Sequence, residues 1–207
     1  MFFKILGSGK PSRLLIAGIH GNEEALTEPI LKLFAQDIQI RSGRLIICSL
    51  SGGDPYISTL DKAYYDSKTG RKLLGLIREY RPRIYLELHS YGLENYSKLT
   101  DPDRKNKIGV PPLTELEEKV LIGSVSPLIR TTEFNMEDFC FIIELPTLYS
   151  EQALSTALDV LTIIALSTSR DEIISKLRGK YPEQICEAEK NFREFFKDIK
   201  HRKLSFF

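Results

Sequence analysis

Only three histidines occur in the 207 residues, and two of them, His20 and His89, directly follow apolar runs. The end of an apolar strand offers little structural reason for an imidazole. It is a natural place for a metal ligand or a catalytic base. His20-Gly21-Asn22-Glu23 has the form His-x-x-Glu. A strand that delivers the histidine and a helix whose first turn delivers the glutamate let an imidazole nitrogen and a carboxylate meet at one ion. Gly21 permits an unusual turn, and Asn22 is suited to cap the helix. Alone, the pattern recurs often by chance, and its weight comes from its company. His89 supplies a third ligand. Two histidines and one glutamate leave a fourth position for water, as in catalytic rather than structural zinc, and such a zinc lowers the pKa of that water to about 7. The expectation is one Zn2+ per chain.

Two further carboxylates fit this reading. Glu87 lies two residues before His89, so on a strand it shares a face with it and is placed to accept a hydrogen bond from the ligand imidazole. The plainer alternative is an ion pair with a nearby Lys or Arg. Glu144 directly follows Phe139-Cys140-Phe141-Ile142-Ile143. Left unpaired in a core, it would cost several kcal/mol, a cost that a neighbouring cation relieves. Its expected role is general base toward water and then proton donor to the leaving group. The alternative is a salt-bridged strand-end glutamate. His201, in the basic segment Lys197 to Lys203, reads as a solvated surface residue, and Phe206 and Phe207 as docking on the domain or a partner subunit.

These residues need elements to hold them. Phe2–Leu6, Arg13–Ile19, Arg44–Leu50, Ile84–Leu88 and Phe139–Ile143 read as strands. Helical spacing runs over Glu23–Ile38, with Pro29 inside it, and over Arg71–Tyr80, Leu113–Arg130, Ser150–Leu166, Glu172–Leu177 and Pro182–Lys200. The last carries an aromatic face at Phe192, Phe195 and Phe196. Ser51–Gly70 reads as a long loop, and Glu94–Pro112 as a loop or small excursion. Strands alternating with helices predict an α/β fold, a mostly parallel sheet covered on both faces, with ligands beyond the carboxyl ends of the strands. The three candidate segments all follow such strands. The chain reads as a single domain over 1–207, with a core over about 1–170 and a helical C-terminal extension over 171–207.

Composition sets outer bounds. Lys and Arg number 29 against 28 Asp and Glu, a formal charge of +1, so no strong field favours nucleic acid or an acidic membrane as partner. No run of eighteen apolar residues exists, and the N-terminus lacks signal-peptide character. Three cysteines do not make a disulfide framework; Cys48 and Cys140, inside apolar runs, read as buried thiols. A cytoplasmic protein without membrane partner fits these features, and its oligomeric state is open.

Gly18-Ile19-His20-Gly21-Asn22-Glu23 resembles the zinc-ligand signature of the zinc carboxypeptidase superfamily, and is especially similar to the Gly-x-His-Gly-Asn-Glu form of its succinylglutamate desuccinylase and aspartoacylase branch. Glu87-Leu88-His89 resembles that branch's third-ligand segment, and Ile143-Glu144-Leu145 the segment bearing the catalytic glutamate. The whole chain also resembles a group of uncharacterised archaeal proteins. The resemblance implies a three-layer α/β/α sandwich around a mixed sheet, zinc at His20, Glu23 and His89, and hydrolysis of an amide in a small molecule or a peptide terminus. Relatives grip the substrate carboxylate with an Asn-Arg pair between the second and third ligands. Leu60–Tyr65 lacks that pair, and Lys62 or Arg71 is the expected substitute, although lysine is a point charge and not a planar fork. Tyr64, Tyr65, Tyr91 and Tyr96 are candidate proton donors or oxyanion stabilisers, with Tyr91 the best placed to line a pocket. The reading is a zinc-dependent deacylase or carboxypeptidase; the alternative is a non-catalytic metal- or ligand-binding protein on the same fold.

Overall fold

The computed structural model describes residues 2–50 and 55–204, with side chains described as far as 197. Ser51–Asp54, the side chain of His201, Phe206 and Phe207 lie outside the described residues. In chain order the elements are β1 (Phe3–Gly7), β2 (Ser12–Ala17), α1 (Glu24–Asp37), β3 (Arg44–Ser49), α2 (Lys62–Asp66), α3 (Lys68–Tyr80), β4 (Ile84–Tyr91), α4 (Tyr96–Leu99), α5 (Arg104–Ile108), β5 (Thr114–Glu115), β6 (Leu121–Ser124), α6 (Pro127–Thr132), β7 (Phe139–Pro146), α7 (Glu151–Leu166), α8 (Arg170–Lys180) and α9 (Pro182–Leu204). A single 3-10 turn, Leu93–Asn95, precedes α4.

Among the described residues seven strands form one sheet in the order β1-β3-β2-β4-β7-β6-β5. The inner four, β3, β2, β4 and β7, are mutually parallel. Antiparallel strands border them, β1 on one side and the β5–β6 hairpin on the other. The fold is thus α/β with a mixed sheet, parallel at its centre. Every residue of β2 is buried, as expected for a central strand covered on both faces. Alternate side chains divide between two cores. Leu15, Leu86, Leu88, Ile143 and Leu145 pack with α1, α7 and α8 on one face. Leu14, Ile16, Tyr85 and Cys140 pack with α3 and Ile129 of α6 on the other. This is the three-layer arrangement. Ile173, Leu177, Tyr181 and Ile185 belong to the first of these cores, so the C-terminal helices are packed into the body of the fold. Cys48 and Cys140 are buried free thiols. No described helix is long and apolar enough to cross a membrane.

Two sequence expectations need correction. The predicted helix over Leu113–Arg130 is instead the β5–β6 hairpin followed by the short helix α6. Glu118 and Lys119 both adopt positive φ and turn the chain between the strands. The helix begins only at Pro127, where Ser126 accepts from the Leu128 amide and a proline at the first position costs no hydrogen bond. The predicted loop Ser51–Gly70 contains α2 and the start of α3. Asp61 caps the first by accepting from the Ala63 amide, and Ser67 caps the second through the Gly70 amide. Helix α1 runs through Pro29 without a break in assignment.

Candidate metal centre

β2 ends at Ala17, and the chain then reverses through Gly18 at φ +66°. A Cβ there would collide with the Leu50 carbonyl oxygen, so the tight exit that carries His20 over the end of the sheet requires glycine. Glu23 follows at the mouth of α1. Its Oε1 accepts from the Ile19 amide (2.7 Å) and the His20 amide (3.1 Å). These two bonds turn Oε2 toward His20 Nδ1 at 3.7 Å and His89 Nδ1 at 3.3 Å. His20, Glu23 and His89 each offer one ligand atom, all within 4.8 Å of one another. Two imidazole nitrogens and one carboxylate oxygen are a donor set that suits zinc with an open position.

β4 brings Tyr85, Glu87 and His89 to one face through its two-residue repeat. Tyr85 donates its hydroxyl proton to Glu87 Oε1 at 2.8 Å, and Glu87 Oε2 lies 3.0 Å from His89 Nε2. His89 therefore keeps Nδ1 toward Glu23 while Nε2–H is held by Glu87, the orientation a metal-ligating histidine needs. His89 pairs in register with Glu144 on the neighbouring parallel strand, so the two side chains stand side by side on the same face.

The electrostatics follow from crowding. Burial alone would pull the His89 imidazolium down, but Glu23 and Glu87 outweigh it and hold its pKa well above the usual histidine value. Burial and the neighbouring His89 charge lower His20. For Glu23, burial acts upward, but His89 prevails and the carboxyl stays below its ordinary value. Burial pushes Glu144 up to about 7, with Glu23 and Glu87 acting in the same direction and His89 and Arg104 against it. Three carboxylates and two imidazoles thus share one largely buried cluster, an arrangement that a divalent cation would balance.

A cavity of about 570 Å³ opens in front of this cluster, of the size ordinary for small-molecule sites. His20, Glu87, His89, Tyr91 and Glu144 line it. Lys62 and Arg71 do not. Both are exposed, on α2 and α3, and Arg71 is engaged with the Asp66 carbonyl. The cations that line the cavity are instead Lys98, exposed, and Arg104, half-buried at the start of α5, both left by sequence reasoning inside the Glu94–Pro112 excursion. Arg104 and Glu144 interact electrostatically. Tyr56 was also missed: its ring meets His20 edge-on at 4.7 Å. Neither Tyr56 nor Arg104 has a spacing signature, because Tyr56 lies in an irregular connection and Arg104 on a five-residue helix too short to carry a pattern. The hydroxyls of Tyr64, Tyr65, Tyr91 and Tyr96 are committed to the Ile19, Thr59 and Lys119 carbonyls and to Glu115 respectively.

Residues 8–197 match the family described as an uncharacterized protein conserved in archaea, DUF2119. The chain belongs to that family. It is 42% identical over 190 residues to the uncharacterized protein MJ0501 of Methanocaldococcus jannaschii, an alignment covering 90% of this chain and 92% of the relative. Among solved structures it is similar to a metallo-carboxypeptidase from Pseudomonas aeruginosa in complex with (2-guanidinoethylmercapto)succinic acid. The TM-score is 0.44 and the identity 13%, over 83% of this chain and 61% of the carboxypeptidase. The chain therefore spans less than two thirds of that enzyme's length. The expected kinship with an archaeal family is established.

Proposed function

We propose that this chain is a zinc-dependent hydrolase that cleaves an amide bond in a small acylated molecule or at a peptide terminus. The observation that carries the reading is the approach of His20, Glu23 and His89 ligand atoms to within 4.8 Å of one another, with Glu144 on the strand beside His89. Zinc held by these three residues would supply an activated water and polarise the substrate carbonyl.

The chain's own residues do the rest. Glu23 Oε1 is fixed by two backbone amides, so Oε2 keeps one position facing the two imidazoles. Glu87 orients the His89 ring and strengthens it as a donor, with Tyr85 holding the other Glu87 oxygen. Glu144, raised to about 7 by burial, suits proton transfer at neutral pH, and a nearby cation would favour its ionised form. It takes the proton from the attacking water and hands it to the leaving nitrogen. The cavity walls position the amide in front of these groups.

The test combines metal analysis with an amidase panel of N-acyl amino acids and short peptides. One zinc per chain and turnover lost in Glu144→Gln are expected. Zinc without turnover across the panel would favour a non-catalytic binding role. Absence of zinc after reconstitution would remove the chemistry altogether.

A further inference from the structure

Six buried side-chain polar atoms among the described residues lack a hydrogen-bond partner, and three of them belong to residues lining the same cavity: Arg104 Nε, Ser124 Oγ and Asn191 Nδ2. They arrive from three separate elements, α5, the last residue of β6, and α9. None is among the residues gathered around His89. An unpaired buried donor is costly, so three at one cavity mark a place where a ligand is expected to complete the bonding. All three groups can donate. Arg104 is further anchored, its Nη1 donating to the Pro111 carbonyl at 2.7 Å, and it forms no ion pair among the described residues. A guanidinium held at one corner with an open Nε edge matches the oxygens of a carboxylate. Beside Asn191, Phe192, Phe195 and Phe196 of α9 give the cavity an apolar wall.

We infer that Arg104, Ser124 and Asn191 form a subsite that binds a substrate carboxylate, with an apolar group of the same substrate packed on the phenylalanines of α9. The inference rests on the reading of this cavity as a hydrolase's substrate site and says what the substrate carries besides its amide: an anion and a bulky apolar group. It assigns α9 to recognition. A C-terminal helix that sequence reads as an extension supplies both a polar contact and the hydrophobic wall.

The test uses the metal-free, full-length protein, so that zinc cannot capture the probe's carboxylate. Calorimetric titration compares 4-phenylbutyrate with its neutral amide and with butyrate. Phenylbutyrate is expected to bind about tenfold more tightly than either, the amide lacking the charge and butyrate the ring. Arg104→Met and Asn191→Asp should each abolish the preference for acid over amide, while amide binding persists. Asn191→Asp is nearly isosteric and guards against a misfolded variant being read as a lost contact. Equal binding of acid and amide, binding of neither, or an acid preference unchanged in both variants would overturn the subsite. Each of those results leaves metal content and the Glu144→Gln outcome untouched. A chain that keeps the acid preference but binds no zinc would instead sink the hydrolase reading and spare this one.

Discussion

The two ends of the parallel strands both bury charge, and they satisfy it differently. At the amino end Arg13 and Arg130 are each 1% exposed. Arg13 donates to the Ser167 carbonyl (2.7 Å) and the Ser42 carbonyl (3.0 Å), tying α7's exit and the turn before β3 to the base of β2. Arg130 donates to the carbonyls of Asn135, Met136 and Asp138, the segment leading into β7. Each guanidinium is spread over backbone oxygens that cannot titrate. At the carboxyl end Glu23, Glu87 and His89 satisfy one another. The first solution clamps segments together. The second is a poor way to gain stability, since desolvating several ionisable groups can cost more than their attraction returns, and such clusters mark functional positions.

The sharpest division between the ends comes from Glu144→Gln. Turnover is expected to fall by roughly 10²- to 10⁴-fold with zinc retained, read from amide hydrolysis beside metal analysis. Full activity in that variant would reduce Glu144 to a packing residue. Glu87→Gln replaces the charged acceptor behind His89 with a neutral amide, and zinc affinity should drop about 10- to 100-fold in a competition titration with a chelator. At the opposite end Arg13→Met strands the Ser42 and Ser167 carbonyls. Denaturant unfolding should show a loss of about 1–3 kcal/mol while zinc binding stays as in the parent chain. Zinc loss there would mean the two ends are not independent. The smallest effect concerns Glu28, whose carboxylate is held down to about 2 by Lys32 and then by the Ser49 hydroxyl. Its folded pKa lies below the unfolded one, so its contribution is complete above the ordinary carboxylate range and disappears as pH falls toward about 2. Glu28→Gln should lower stability at neutral pH by less than about 1 kcal/mol and converge with the parent chain toward pH 2, which flattens the acid limb of the profile.

The comparison also separates what sequence reveals from what it hides. His20, Glu23, His89 and Glu144 were legible because each sits at a fixed offset from an apolar strand, and the parallel sheet converts those offsets into proximity. Glu87 was legible from the two-residue repeat of β4. Arg104 was not: it follows directly on no apolar strand, and only the fold of the excursion between His89 and Glu144 carries it back to the cavity. Lys62 and Arg71 were singled out for charge type near the absent Asn-Arg pair, yet α2 and α3 leave both in solvent. Leu113–Arg130 misled because apolar residues at Leu116, Val120 and Leu121 imitate helical spacing, while the decisive events are two positive-φ residues at Glu118 and Lys119, to which no side-chain pattern points.

The register between β4 and β7 sets a limit on how this gene can change. His89 faces Glu144 because eight consecutive pairs hold the two strands in step. Losing a single codon within β7 would slide every later residue by one place and rotate it to the opposite face. Glu144 would then point into the aliphatic layer beneath α7, and an apolar neighbour would stand beside His89. Lineages of this family can vary their loops in length, but within β7 drift should proceed by replacement and not by insertion or loss.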